Sequence, residues 1–543
     1  MIVKMKHLDL VCVAGETGET LESLRKTGAV HLDLAAAGGA GTMAAKGAAA
    51  DAEKAVRAIL KSREGKEYAD SLNLQPCEVK DVLALDNARE DLLARIDSLE
   101  KEIGKYEKYG DFDPELARKL LALLGDDLKA VADLPETLPG QSLGAMKAEA
   151  GRLRGELIGV ESKLAACDEE SIIAQYPALA DEIAFSAAKE LMSNAGEIAF
   201  ISGWVPVSRT EDVRKAAAEN GWGVLLRDPA AGEIPPTLIE PPKMFRPVKA
   251  LFDGLGISPA YTEADVSVPF MCYFSLFFAM LVGDGAYGLI FLFGTLAMRK
   301  KLPRSWFILL TVFSVATVAW GLLSNTWFGA NIPACANWPT VQWLSDPSYK
   351  NMMLLCFTIG ASHLTVARLW NAVCKAPDST ALAELGWAGV VVMMYLVTNS
   401  IVGIFPGVPA WGMWLGIISI LLVFCFSVKP SELKTRGAEL GMLPLNIMSA
   451  LGDIISYVRL FAVGLASVKV AENFNSMATG LDLPLWLKVV PMVAILVIGH
   501  GLNLAMAGLS ILVHAVRLNT LEFSNHKGVS WSGYAFRPFR KQA

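Results

Sequence analysis

The sequence lacks the short motifs with which proteins bind and hydrolyse nucleotides. It contains no GxxxxGK[ST] loop and no GxGxxG segment after a strand-like stretch. It also lacks HExxH, GxSxG and any Ser/His/Asp arrangement in a recognisable setting. We therefore expect no catalytic residue and no cofactor. The chain is not expected to be an enzyme on its own, so a gradient or a partner must supply its energy.

Cysteine patterns that bind metal ions are also missing. None of the eight cysteines belongs to a CxxC pair, and none joins histidines in a cluster. We therefore expect no metal site, and we expect the thiols in apolar segments to be buried and inert. The first residues lack the long apolar run of a signal peptide. The N-terminal half is thus expected to stay in the cytoplasm.

Charged residues are scarce, and their distribution divides the chain. Only 19% of the 543 residues are charged and 53% are apolar, which excludes a disordered chain, a collagen and a basic protein that binds nucleic acid. Residues 1–266 contain 31 basic and 45 acidic side chains, whereas residues 267–543 contain only 18 and 10. We infer an acidic soluble half followed by a membrane half, with no nucleic-acid partner.

The soluble half carries strand-like patterns at both of its ends. These patterns lie at residues 2–13, 29–34, 198–205 and 223–226. A Gly/Ala-rich stretch, 35–50, is expected to be a loose connection. Between the ends, apolar residues recur at steps of three and four over 92–106 and 143–164. This repeat favours an antiparallel coiled-coil hairpin inserted in small α/β lobes. Two amphipathic helices on a globular core are the alternative.

The membrane half contains seven apolar blocks long enough to cross a hydrocarbon core of ~30 Å. They lie at 267–298, 305–328, 351–374, 384–405, 409–428, 444–476 and 484–521. Basic residues mark the cytoplasmic loops, and these assignments agree only if the first block enters and leaves on the same side. Its central Gly283-Asp-Gly-Ala-Tyr-Gly288 predicts a hairpin of two short segments. We therefore predict eight membrane segments, with both ends of the chain in the cytoplasm.

Ionisable residues inside these blocks are costly and are therefore candidates for function. Arg459 and Arg517 lie in the last two blocks, and His514 precedes Arg517 by one helical turn. His514 and Arg517 are thus expected to line one surface. Because arginine keeps its proton, each arginine could hold an opposing carboxylate in its ionised form. The alternative is a structural ion pair with Asp453, Glu522 or a backbone carbonyl.

Four motifs, which occur along the chain in the same order as in the family, resemble subunit a of the V-type and A-type rotary ATPases, called subunit I in bacteria and archaea. Ser456-Tyr-Val-Arg-Leu-Phe-Ala462 is similar to the family's SYLRLFAL pattern, and His514-Ala-Val-Arg-Leu-Asn-Thr-Leu-Glu-Phe523 is similar to HALRLhxvEF. The segment Pro269 to Gly288 is similar to PFF…FGxMxGDxGYG, and the Pro-rich run that begins at Pro235 also fits. The resemblance covers essentially the whole chain.

The resemblance implies a stator subunit with two offset ion half-channels beside a rotating ring of proteolipid subunits. By this resemblance, Arg459 and Arg517 correspond to the family's two arginines and would face the essential carboxylate of the ring. Seven more residues are candidate channel or supporting groups: Asp284, Asp453, Ser456, Glu472, His500, His514 and Glu522. The segment after Glu522 departs from the family's EFFxKFY pattern. In addition, Ala507 stands where some members carry a glutamate.

The predicted architecture is an α+β cytoplasmic arm with a long antiparallel helical coiled-coil hairpin, followed by an all-α membrane domain. The arm would cover 1–242, a linker 243–266, and the ion-translocation domain with its short cytoplasmic tail 267–543. The resemblance implies as partners the proteolipid ring, peripheral stalk subunits E and G, a ring-capping subunit of the central stalk and membrane lipid. A multi-pass protein of a prokaryotic plasma membrane is expected.

Two other functions remain open at the level of the sequence. A secondary transporter would bind its substrate near the midplane of the membrane and would show internal repeats of broken helices. Only one broken segment is predicted in this sequence. A membrane-anchored scaffold would use the helical arm for interactions and would carry no ion.

Overall fold

A computed structural model describes residues 2–34, 38–64, 74–124, 138–333, 337–344, 346–428, 438–481 and 484–541. The chain divides into two compact units. One, here called the helical unit, comprises Met1–Lys4 and Ala230–Phe536. The other, here called the sheet unit, comprises Met5–Pro229 and Arg537–Ala543. Each unit contains its own hydrophobic core.

The sheet unit is built on four antiparallel strands. They are β1 (Met5–Val13), β2 (Ser193–Ala195), β3 (Ile198–Pro206) and β4 (Gly223–Arg227), in the spatial order β2-β3-β1-β4. β1 pairs with β3 over its whole length and with β4 on its other edge. The strands predicted at the two ends of the soluble half are thus neighbours in one sheet.

The strand predicted at 29–34 is wrong, because this segment forms only a single bridge, between His31 and Trp204. The C-terminal tail of the same unit contacts this segment next to the bridge. The amide of Phe539 donates a hydrogen bond to the carbonyl of Val30 at 2.7 Å. The ring of Phe539 is buried in the same core as Val30. The segment is therefore enclosed by the tail instead of extending the sheet.

Helices make up most of the sheet unit. They are α1 (Thr17–Thr27), α2 (Ala40–Arg63), α3 (Val79–Tyr106), α4 (Pro114–Leu124), α5 (Leu143–Ala165), α6 (Glu169–Ile173), α7 (Tyr176–Leu191) and α8 (Thr210–Asn220). A disulfide joins Cys77, just before α3, to Cys167, just after α5. No spacing pattern in the sequence indicated this bond.

Helices α3 and α5 pack side by side in opposite directions. Arg154 pairs with Glu100 at 2.5 Å, and Lys147 pairs with Glu107 at 2.9 Å. Between these helices lies a small cluster of buried apolar side chains: Leu92, Ile96 and Leu153. The two repeats noted in the sequence therefore face each other. Residues 125–137, on the connection, lie outside the described residues, and the coiled-coil hairpin stays a prediction.

Helix α2 corrects the loose connection expected at 35–50. Alanine has the highest helix propensity of all residues, and Ala52 and Ala55 are fully buried against neighbouring helices. Glu190 of α7 closes the N-terminus of α2. It accepts hydrogen bonds of 2.7 Å from the Gly39 amide and 2.8 Å from both the amide and the hydroxyl of Thr42. The hydrogen bonds from Thr42 lower the pKa of Glu190.

The helical unit contains the apolar helices. They are α9 (Val248–Leu255), α10 (Ser267–Val282), α11 (Gly285–Ala297), α12 (Arg304–Ser324), α13 (Pro339–Leu344), α14 (Lys350–Lys375), α15 (Thr380–Ile401), α16 (Ala410–Phe426), α17 (Ala438–Gly441), α18 (Leu443–Ser456), α19 (Val458–Thr479), α20 (Leu485–Ser510) and α21 (Ser524–Lys527). Two π-helical segments, Ile511–Ala515 and Leu518–Phe523, connect α20 to α21.

Within the described ranges, five helical segments are long and apolar enough to cross a membrane, or up to six if a bent pair counts as one span. They are Arg304–Ser324, Lys350–Lys375, Thr380–Ile401, Leu443–Thr479 and Lys488–Lys527. The bent pair is α10 and α11, between which the helix direction changes by 118°. The break expected in the first apolar block is therefore present, and α16 is a shorter apolar helix. The full set of eight membrane segments stays a prediction.

We predict that Phe539→Ala destabilises the sheet unit by about 3–5 kcal/mol, because it empties a buried site of a large ring. Hydrogen exchange of the β1 and β3 amides in the full-length chain would measure this loss. Phe200→Ala is the matched control, since Phe200 lies on the open face of the sheet and is 48% exposed. Equal exchange in both variants would contradict the prediction.

Candidate functional site

The start of α19 positions Arg459. Tyr457, the residue between α18 and α19, is fully buried. Its hydroxyl is 2.9 Å from Nδ1 of His363. Its ring packs against Gly360 so closely that a Cβ at this position would lie 2.6 Å from it. Only glycine therefore fits at position 360, and the contact fixes where the helix bearing Arg459 begins.

Arg517 lies between the two π-helical segments. A π turn closes hydrogen bonds between residues i and i+5, and such turns are frequent at functional sites. Arg517 and Glu522 are separated by five residues, and the Arg517 Nε atom lies 3.6 Å from the Glu522 Oε1 atom. The π geometry therefore turns Glu522 towards Arg517.

Glu522 is the point at which the two arginines meet. Nη2 of Arg459 lies 3.6 Å from the same Oε1 atom, and the Ser456 hydroxyl lies 3.2 Å from it. The Glu522 side chain is only 6% exposed, whereas that of Arg517 is 55% exposed. Two fixed positive charges thus converge on one buried carboxylate, and one of them is also open to the surface of the unit.

Several polar atoms around this carboxylate have no hydrogen-bond partner among the described residues. They are Nη1 of Arg459, Nδ1 of His514 and Oε2 of Glu522. The charges of both arginines act on His514. Unpaired buried polar atoms are rare in folded proteins and need an explanation. The cluster therefore has the capacity to bind another polar or charged group.

Asp453 lies one turn before Ser456 on α18. Its carboxylate Oδ2 is 3.0 Å from Nε2 of His526, and the Ser456 hydroxyl donates a 2.7 Å hydrogen bond to its carbonyl. His526 is not among the site residues predicted from the sequence. The signal that could have identified it is the departure from the family pattern just after Glu522, where His526 and Lys527 are buried.

Asp284 has a structural role at the break between α10 and α11. One carboxylate oxygen accepts a 2.8 Å hydrogen bond from the Ala286 amide, and the other accepts one of 2.8 Å from the Gly329 amide. Its side chain caps the N-terminus of α11. The preceding Gly283 adopts a φ of 69°, which glycine tolerates best. Asp284 is thus held away from the arginine cluster.

His500 belongs to a different polar network. Its Nδ1 atom lies 2.8 Å from the hydroxyl of Tyr287, and its Nε2 atom lies 3.1 Å from the amide oxygen of Asn475. The Tyr287 hydroxyl also accepts a hydrogen bond from Asn503, which in turn contacts Ser467 of α19. This buried chain of polar groups links α11, α19 and α20.

Glu472 pairs with Lys469 at 2.6 Å on the surface of α19. Both side chains line a cavity of about 180 Å³ between α10, α12, α14 and α19, which has room for several water molecules. The cavity extends along α19 as far as Leu460 and Phe461, next to Arg459. It therefore runs along α19 from Glu472 to the neighbourhood of the arginine cluster.

The structure thus divides the predicted site residues into groups. The arginine cluster brings together Arg459, Arg517, Ser456, Glu522 and His514. Asp453 adjoins it through α18. Asp284, Glu472 and His500 lie elsewhere in the unit.

The helix that leads to Arg517 is largely uncovered. Only 11% of the most apolar stretch of Lys488–Lys527 is buried by the rest of the chain, compared with 56% for Thr380–Ile401. Large apolar side chains are exposed along it: Val490, Val497, Ile498, Leu502, Leu509, Leu512 and Val513. This surface suits lipid or another apolar subunit, and Arg517 is exposed on the same segment.

Comparisons with known proteins agree on one family. The chain is 32% identical to V-type ATP synthase subunit I of Borreliella burgdorferi over 65% of this chain and 62% of that protein. It is 28% identical to V-type ATP synthase subunit I 1 of Treponema pallidum over the full length of both. It is 24% identical to A-type ATP synthase subunit I of Methanocaldococcus jannaschii over 75% of this chain and 64% of that protein.

The first and third of these alignments span less than two thirds of the relative's own length. No family model matches the chain.

We predict that Asp284→Ala costs about 1–3 kcal/mol, since it leaves two buried backbone amides without an acceptor. Asp284→Asn should cost less, because one amide oxygen can still cap α11. The thermal unfolding of the purified full-length chain in detergent, compared with Asp253→Asn at an exposed position of α9, would measure both effects. An alanine variant as stable as the control would contradict the capping role.

Proposed function

We propose that this chain is a subunit I of the V-type and A-type ATP synthases, like the relatives that it resembles, and that it is the stator subunit that moves ions past a proteolipid ring. The observation that carries this proposal is the convergence of Arg459 and Arg517 on the buried Glu522 carboxylate. In this proposal the chain supplies both ion half-channels and the two arginines. It has no catalytic site of its own.

The uncovered face of α20 is where we place the proteolipid ring. A helix with so little of its apolar surface buried needs a cover of lipid or of another membrane subunit. Arg517 projects from the segment that follows this face and is more than half exposed. A ring carboxylate that passes along the face would therefore meet a guanidinium group.

The arginines would act on the protonation of that ring carboxylate. A bare carboxylate is costly in lipid, and an opposing positive charge favours its ionised form. When the ring carboxylate reaches the cluster, Arg517 and Arg459 can bind it in competition with Glu522, so that it releases its ion. Rotation away from the arginines then requires the carboxylate to bind a new ion. Because arginine keeps its own proton, it cannot pass protons directly from one half-channel to the other.

The two half-channels would approach the cluster from opposite sides. We assign the external one to the cavity lined by Lys469 and Glu472, which extends to the residues beside Arg459. The network around His500 shares α19 with this cavity, which supports that assignment. The cytoplasmic one would begin near Asp453, with His514 and Ser456 closer to the arginines. Asp284 would support the channel wall through its backbone contacts.

The sheet unit would serve as part of the stator arm. The antiparallel packing of α3 and α5 supports a stiff arm within 1–242, joined by a linker at 243–266 to the translocation domain at 267–543. We propose peripheral stalk subunits E and G and a ring-capping subunit of the central stalk as partners of this arm. Both ends of the chain would be cytoplasmic.

We predict that Arg459→Ala lowers ATP-driven ion transport by the assembled complex about 100-fold, as expected for the loss of a preorganised charge. Arg459→Lys should retain part of the activity, because lysine keeps the charge but not the fork geometry. Transport into reconstituted vesicles, measured together with co-purification of the other subunits, tests this. The control is Lys300→Ala in an exposed loop.

Normal transport by an assembled Arg459→Ala complex would contradict the proposed function and favour a membrane-anchored scaffold. Transport by the isolated chain without a proteolipid ring would favour the secondary transporter.

We also predict that Glu522→Gln slows transport about tenfold or more while the complex still assembles. Without Glu522 both arginine charges face the ring carboxylate, which is then held too long. ATP hydrolysis coupled to transport should slow in parallel. Glu219→Gln, an exposed acid on α8, is the control for a lost negative charge. Wild-type rates in the Glu522 variant would contradict a role for the carboxylate as the competing anion.

A further inference from the structure

A second buried ionic cluster lies beside the arginine cluster, and its residues come from four helices. Arg368 of α14, Glu384 of α15, Asp453 of α18 and His526 of α21 form a connected chain of contacts. Nε of Arg368 lies 3.1 Å from Nδ1 of His526, and Nη1 of Arg368 lies 3.1 Å from Glu384 Oε2. The opposite nitrogen of His526 lies 3.0 Å from Asp453.

These contacts determine where the hydrogen atom of the His526 ring lies. The Nε atom of arginine can only donate a hydrogen bond. Nδ1 of His526 must therefore accept, and the ring hydrogen sits on Nε2, which donates it to Asp453. Arg368 is itself held by Glu384 and by the face of Trp387 at 5.1 Å. The imidazole is thus kept neutral and in one tautomer.

Asp453 and His526 differ in their access to water. The His526 side chain is 4% exposed, whereas that of Asp453 is 24% exposed. The acid is therefore the accessible member of the pair, and the imidazole behind it holds one carboxylate oxygen in place. Ser456, one turn further along α18, contacts both the Asp453 carbonyl and the Glu522 carboxylate. The pair thus lies between the surface of the helical unit and the arginine cluster.

From this geometry we propose that Asp453, held by His526, is the proton-binding residue of the cytoplasmic half-channel, and that the transported ion is a proton. This inference rests on the proposed function. A proton from water binds the Asp453 carboxylate and cancels its charge. The proton then passes to the ring carboxylate that lies at the arginine cluster, and the Asp453 carboxylate is restored. His526 is a positioning residue, since it donates the same hydrogen throughout.

The surroundings of Asp453 are unsuited to a sodium ion. A hard cation needs several oxygen ligands at once, but the groups behind Asp453 are the nitrogen atoms of His526 and, beyond it, of Arg368. Across the part of the chain that the structure describes, no group of three or more His, Cys, Asp or Glu residues could hold a metal ion. A proton needs only one acceptor atom, which the carboxylate offers.

The test uses the intact complex in sealed vesicles, with ATP as the driver and an internal pH dye as the readout. Asp453→Asn keeps an oxygen that accepts the His526 hydrogen bond but cannot bind and release a proton. We expect it to assemble and to pump at least about tenfold more slowly, as for the loss of a positioned proton-transfer group. If the pair only fastens helices together, this variant pumps normally, and the proposal is overturned.

Two variants of His526 show whether this residue orients the Asp453 carboxylate or only fills space. Glutamine can donate to Asp453 and accept from Arg368, so His526→Gln should retain pumping within about threefold. His526→Phe removes both hydrogen bonds and should lower pumping at least about tenfold. Wild-type pumping by the phenylalanine variant would overturn the role of His526. Asp346→Asn, in an exposed loop, is the control expected to pump normally.

The ion itself is tested in the same vesicles. We expect acidification without added sodium and no uptake of radioactive sodium; sodium uptake coupled to ATP would overturn the proton assignment. Arg459→Ala is measured in parallel. If Arg459→Ala abolishes transport while Asp453→Asn pumps normally, this inference alone fails. If Arg459→Ala pumps normally, the proposed function itself fails.

Discussion

Two guanidinium groups that cannot lose their protons share one buried carboxylate in an apolar unit, and the rest of the candidate site depends on how their charge is balanced. Glu522 is within 3.6 Å of both and cancels one of the two charges. The Arg459–Glu522–Arg517 cluster therefore keeps a net positive charge in low dielectric, where an added anion is attracted strongly. The buried Tyr457 and the glycine at position 360 are needed because they place the helix that holds one of these charges.

The sequence indicated the two arginines, but it did not indicate how they share an acid. In an α-helix, residues five apart are separated by about 140° around the axis, so Arg517 and Glu522 would point in different directions. The π segments remove this offset and bring the two side chains together. A periodic pattern read at 3.6 residues per turn cannot reveal such a change. His526 escaped notice for a similar reason, since its partners Asp453 and Arg368 lie 73 and 158 residues away.

The soluble half was predictable where structure depends on local pattern. The helix at Thr210–Asn220, the strand at Gly223–Arg227 and the facing apolar repeats of α3 and α5 follow from residue spacing. The sheet order was not predictable, because β1 pairs with a strand almost 200 residues away. The strand predicted at 29–34 is reduced to one bridge with β3 at His31, and the neighbouring carbonyl of Val30 bonds to the distant C-terminal tail instead. The connection predicted at 35–50 failed because alanines with good packing partners form a helix.

An acid inside an apolar block is a candidate for function, but its partners decide what it can do. Both carboxylate oxygens of Asp284 accept hydrogen bonds from backbone amides. Asp284 therefore stabilises the bend between α10 and α11 and has little freedom to exchange a proton. Glu522 faces two permanent cations and is buried, so it remains a counter-ion. Asp453 gives one oxygen to a neutral imidazole and remains partly open to water. Of these three acids, only Asp453 is both partly exposed and held in place by a neutral partner. The His526 ring orients its carboxylate but brings no permanent charge to it.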